Sequence, residues 1–171
     1  MKATMLSVLT ALTLVLVPMG TAYAAEKETD HIADVGEMVH VPEEVWEISE
    51  DLGEKYCICP ELLQAMAWKE SRFRPDVENQ GCIGIMQISE RWHRDRMKRL
   101  GVNDLYDMRQ NMTVAADYIA ELAADGEPVE IALMKYHGES GISEVMDGTR
   151  ESEYVTNILE LAAELERQHG K

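Results

Sequence analysis

The sequence predicts an all-α domain with one small irregular or hairpin loop near residues 79–89. Three observations carry that prediction. Apolar residues recur at three- and four-residue spacing in five separate segments; prolines stand at the start of three of them; and no run alternates polar and apolar residues over the length of an ordinary strand.

The first 24 residues are excluded from the fold. Met1-Lys2 gives a minimal positive start, Leu6 to Val17 a short apolar run, and Ala22-Tyr23-Ala24 a small-x-small cleavage site, the pattern of a secretory signal peptide. The run is too short to span a bilayer comfortably, and Glu26, Lys27 and Glu28 follow the cut. An exported protein is expected, secreted or held in the cell envelope, with no membrane association after cleavage. Residues 25–41 are polar and acidic without a period and read as a linker, leaving 42–171 as the domain.

Within that domain, Pro42 suits the edge of a first helical turn, Glu43 and Glu44 favour its positive end, and Val45, Ile48, Leu52 and Tyr56 form a stripe, so the first helix is Glu43 to Tyr56. Pro60 opens a second, with Leu63, Met66 and Ala67 on its apolar stripe, until Phe73, Arg74 and Pro75 break it. Asn79 to Ser89 is the one stretch suited to a hairpin. Glu90 to Leu100 concentrates five basic residues and reads as an exposed helix whose cations answer the acidic remainder; a handle for carboxylates is the sharper alternative. A third stripe runs from Val114 through Ala115, Tyr118 and Ile119 to Leu122, stopping near Asp125-Gly126. Pro128 starts a fourth, Val129 to Tyr136, and Tyr154, Val155, Ile158, Leu159, Ala162 and Leu165 mark a fifth.

A chain of 171 residues, 46% apolar and 28% charged, is long enough for one globular domain and too short for a second catalytic one. Its net charge of −16 disfavours nucleic acid and anionic bilayers as partners. A monomer is expected. No phosphate-cradling glycine loop is present, and the C-x-C of Cys57 and Cys59 with a distant Cys82 lacks the paired spacing of a zinc site, so neither cofactor nor metal is implied. Outside the cytoplasm, disulfides persist. Cys57 and Cys59 would make a strained ring together, so the expected bridge joins one of them to Cys82; a Cys59–Cys82 link would close about 24 residues and contribute roughly 3 kcal/mol.

One carboxylate stands out. Glu70 follows Leu63 by seven residues, Met66 by four and Ala67 by three, at the end of the buried stripe. Desolvation and the negative end of the helix dipole both favour its protonated form, and burial is the larger effect. A carboxyl raised to about 6 can protonate a glycosidic oxygen near neutral pH. The alternative is an ordinary helix-end ion pair with Lys69, Arg72 or Arg74.

The stretch Glu61-Leu62-Leu63-Gln64-Ala65-Met66-Ala67-Trp68-Lys69-Glu70-Ser71-Arg72-Phe73, followed by Asn79-Gln80-Gly81-Cys82-Ile83-Gly84-Ile85-Met86-Gln87, resembles the catalytic core of soluble lytic transglycosylases, relatives of goose-type lysozymes. That family carries a Glu-Ser pair at a helix end and then a Gly-x-x-Gly-Leu-Met-Gln loop; here Ile85 replaces the Leu. Asp107 and Asn111, Tyr118-Ile119, Ala132 to Tyr136, Tyr154-Val155 and Ile158-Leu159 follow in the family's order, so the resemblance spans roughly Tyr56 to Leu159.

The resemblance implies a lysozyme-like fold and cleavage of peptidoglycan glycan strands between N-acetylmuramic acid and N-acetylglucosamine. Glu70 would be the sole acid/base, with the substrate's own O6 hydroxyl closing a 1,6-anhydro ring, unlike the two-carboxylate scheme of ordinary glycosidases. It further implies that Tyr136 lies near the acid and that Ser71 and Gln87 line the groove. One departure is plain: the family's Tyr-Asn-x-Gly is here Tyr136-His137-Gly138. His137 is expected to face solvent, with a second titrating group beside Glu70 as the alternative. Two other functions stay open: a muramidase that adds water, helped by Asp76, Glu78 or Asp107, and a non-catalytic wall-binding or assembly module.

Overall fold

The computed structural model describes residues 39–171. The expected leader at 1–24, and the linker up to residue 38, lie outside the described residues.

The described chain is mostly helical, with one small sheet: α1 (Glu43–Tyr56), α2 (Pro60–Ser71), β1 (Glu78–Asn79), β2 (Cys82–Ile83), β3 (Ile88–Ser89), α3 (Glu90–Leu100), α4 (Met108–Leu122), α5 (Val129–His137), α6 (Ile142–Met146) and α7 (Glu153–Gln168). Helix α2 is the centre. It packs on α7 and α1, while α4 lies against α1 and α5. Every residue from Glu61 to Ala67 is buried, so the stripe of Leu63, Met66 and Ala67 read from the sequence is only part of its contact surface. A helix enclosed by neighbours loses the polar face that periodicity relies on.

The expected hairpin forms as three short antiparallel strands in the order β1-β2-β3. Asn79 pairs with Cys82 across a two-residue turn, Gln80-Gly81, both with positive φ (51° and 81°), the conformation that matches the twist of adjoining strands. Ile83 pairs with Ile88 across the loop Gly84 to Gln87.

Helix α3 buries Met97 alone, with His93, Arg96 and Leu100 half-buried and the rest exposed. Its Arg96 pairs with Asp117 and with Glu121 (2.9 Å), and Arg99 pairs with Asp117 (2.7 Å). The cations of α3 thus answer acids of α4. Helix α4 starts six residues before the stripe that revealed it, because Asp107 caps it by accepting from the Gln110 N–H at 2.8 Å. Helix α6, five residues with no buried side chain, left no periodic signal.

The expected Cys59–Cys82 bridge is absent: all three cysteines are free. Cys59 caps the N-terminus of α2, where its Sγ lies 3.1 Å from Glu61 and 3.2 Å from Glu166. Cys82 lies beside Glu70 at the other end of the same helix. Helix α2, twelve residues and about 18 Å long, lies between the two ends where these thiols stand, against the roughly 4–7 Å between Cα atoms that a disulfide allows. Cys57, at the C-cap of α1, is on the same distant side as Cys59.

Candidate active site

The last turn of α2 places the site. The helix stops in two consecutive left-handed residues, Arg72 (φ 56°) and Phe73 (φ 61°), which turn the chain sharply after Glu70-Ser71. Ser71 is 3% exposed. Its hydroxyl donates to the Ile85 carbonyl at 2.8 Å and accepts from the Arg74 N–H at 3.1 Å. The residue after the acid therefore ties the helix end to the loop at 84–87. Ser71, expected to line the groove, has its hydroxyl bonded on both sides, to the loop and to the chain after α2.

Asn111 holds the same loop from α4. Its Nδ2 donates to Ile83 O and Leu105 O, each at 2.8 Å, and its Oδ1 accepts the Met86 N–H at 2.9 Å. Gly84 must be glycine here. Its φ is +79°, and a Cβ would press into the Leu105 carbonyl and the Asn111 amide. Gln87 (φ 49°) turns its amide back onto the loop, donating to Gly84 O at 2.9 Å and Val77 O at 3.2 Å. It is half-buried and acts as a brace in this geometry.

Glu70 is partly buried, and Oε1 accepts a 2.5 Å hydrogen bond from the Tyr154 hydroxyl. Burial pushes its carboxyl above the ordinary carboxylate range; the Tyr154 hydrogen bond, then His137 and Lys69, pull the other way and lose. Tyr154 is itself held well above the usual phenol range, by burial first and then by the neighbouring Glu70 charge, so it remains a donor. Tyr136 donates to Met86 O at 2.9 Å and lies close enough to Glu70 for that carboxylate to disfavour its ionisation, after burial. The loop, the acid and two tyrosines are thus joined.

Tyr154 is the residue that sequence reasoning left in the core. It stands on the apolar stripe of α7, where a tyrosine reads as packing, and only the fold shows its hydroxyl reaching α2. His137 is exposed, and its ring stacks on Tyr154 at 3.9 Å with planes 7° apart, close enough to Glu70 for an imidazolium there to favour the carboxylate.

Two of the three candidate helper carboxylates have other work. Asp107 caps α4, and Glu78 accepts the Tyr106 hydroxyl at 2.8 Å on the exposed edge of β1. Asp76 is exposed. Among the described residues, metal-ligating donors converge where Cys59, Glu61 and Glu166 lie within 4.8 Å of one another, at the far end of α2 from Glu70. There Lys171 and His169 each hold Glu61 Oε1 at 2.8 Å, so its buried charge is already answered.

The arrangement offers one protonatable carboxyl, fixed by a phenol and bordered by a rigid loop. That combination suits proton transfer to and from a single bound oxygen. The family model of the transglycosylase SLT domain matches residues 47–155, a span that takes in Glu70, the loop, Tyr136 and Tyr154. No curated protein matches the chain.

Proposed function

The chain belongs to the transglycosylase SLT domain family, and we propose from this that it is an exported lytic transglycosylase acting on peptidoglycan glycan strands outside the cytoplasm. The observation that carries the reading is the Glu70 carboxyl, pushed above the ordinary carboxylate range by burial and held by Tyr154.

Glu70 gives its proton to the glycosidic oxygen as the bond from that oxygen to C1 of N-acetylmuramic acid breaks. The resulting carboxylate then takes the proton of the O6 hydroxyl while O6 bonds to C1. Nothing but the glycan is consumed, and Glu70 ends as it began. No second carboxylate is required, consistent with the structural roles of Asp107 and Glu78. Tyr154 orients the carboxyl, and Tyr136 keeps the Met86 end of the loop against it.

The test is mass spectrometry of sacculi digested by wild type and by Glu70→Gln. Products lighter by one water than the hydrolytic ones, lost in the variant, support the reading. Hydrolytic products would identify a muramidase. Equal background turnover with intact sacculus binding would identify a binding module.

A further inference from the structure

Tyr154 is held from two sides, and both holds trace back to the segment that follows α5. On one side the His137 ring covers its face. On the other, Ser152 caps α7 by accepting from the Val155 N–H at 3.2 Å, which fixes the first helical turn where Tyr154 stands. Glu139 joins the two: its Oε1 lies 3.2 Å from His137 Nδ1 and accepts the Ser152 hydroxyl at 2.9 Å, while Arg150 approaches its other oxygen at 3.4 Å. A continuous set of contacts thus runs from His137 through Glu139 and Ser152 to the helix that delivers the phenol to Glu70.

We propose that His137 is a positioning residue for Glu70, acting through the Tyr154 ring it covers and through its own charge; this rests on the reading of Glu70 as the acid. Position and charge have separable effects. The stack closes one face of Tyr154 to solvent and limits where its hydroxyl can point, so loss of the ring loosens the 2.5 Å contact. The charge works against proton retention, because an imidazolium near Glu70 favours the carboxylate.

The other groups around the pair are accounted for. Glu70 meets Lys69 on its own helix, Tyr154 from α7, His137 and Tyr136 from α5, and Cys82 from β2. His137 meets Glu139, with Arg150 behind it, and Tyr154. The His137 side chain is 47% exposed.

The experiment compares wild type, His137→Phe and His137→Ala in the full chain, after thermal melts establish that each is folded. It uses pH–rate profiles on sacculi and a carbon NMR titration of the Glu70 carboxyl. Phe keeps a ring on Tyr154 and removes the charge; Ala removes both. Both variants should move the alkaline limb, and the Glu70 titration, to higher pH. The plateau rate should fall about tenfold in His137→Ala and less in His137→Phe, as expected of a displaced catalytic group. An alkaline limb that stays in place in both variants, together with a His137→Ala plateau within about twofold of wild type, would overturn the proposal. Should wild type cleave nothing, the reading of Glu70 as the acid fails, but the titration still decides this one: an upward move in His137→Phe supports the coupling, and superimposed curves refute it.

Discussion

Asn111→Ala tests whether the site depends on the polar knot beneath its loop. The amide is fully buried and serves three backbone groups, Ile83 O, Leu105 O and Met86 N. Alanine removes all three hydrogen bonds, so each backbone group loses its side-chain partner. A buried backbone group so stranded costs about 1–3 kcal/mol, and the vacated space is large enough for a water to recover part of that. Taking a little over 1 kcal/mol for each of the three gives a loss of about 4 kcal/mol, a large share of the roughly 5–15 kcal/mol that holds a domain together. With a urea slope of about 2 kcal/mol per molar, the unfolding midpoint should fall by about 2 M. Gly84→Ala presses on the same knot from the other side, adding a left-handed backbone that alanine disfavours. Because both changes break the same contacts, the double variant should lose less than the sum of the two. A midpoint shift under about 0.5 M for Asn111→Ala would mean that the three bonds together contribute less than about 1 kcal/mol, and the account of the loop as pinned by this amide would be wrong.

Glu70→Gln should be more stable than wild type at neutral pH. Since the native carboxyl binds its proton more tightly than the unfolded one, the stability it gives is complete below the ordinary value near 4.5 and fades as pH rises through the raised one; melting temperatures that converge at acid pH and separate above it would confirm this. Glu61→Gln should behave in the opposite sense. Burial pushes Glu61 up, but hydrogen bonds from Lys171, His169 and Cys59 pull it to about 2, so wild type should exceed the variant by up to about 3 kcal/mol at neutral pH, with the gap closing as pH falls from 4.5 towards 2 in acid denaturation curves. Thiol titration of the unfolded chain without reductant should find three free cysteines; finding one would restore a bridge.

Periodicity was plainest where a helix keeps one face in water, whereas the enclosed α2 was read from a partial stripe and the proline that opens it. Helix α1 matches its expected limits, Glu43–Tyr56, because Val45, Ile48 and Leu52 are buried while its acids are not. The stripes of α5 and α7 were equally plain. Helix α6 has no buried residue, and the first turn of α4 is set by a cap, Asp107, instead of an apolar stripe. Neither feature has a hydrophobic period to read.

Glu70 was legible for a similar reason: a carboxylate at the end of an apolar stripe is a conflict between pattern and chemistry, and such conflicts mark candidate sites. Its partners carry no such mark. Tyr154 obeys its own stripe, and its role depends on α2 packing against α7 so that a hydroxyl 84 residues away reaches Glu70. Ser71 and Gln87 bond to the backbone of the loop, contacts that a motif of residue types does not specify. The misread disulfide has the same origin. Spacing along the chain counts the residues a bridge would close, yet whether the ends can meet is decided by what lies between, and between Cys59 and Cys82 lies the length of α2, a rigid rod that holds them apart. The same rod sets the charged cluster of Cys59, Glu61 and Glu166 at one end and the proton chemistry of Glu70 at the other. The two can therefore be perturbed independently, and Glu61→Gln should lower stability without moving the pH dependence of glycan cleavage.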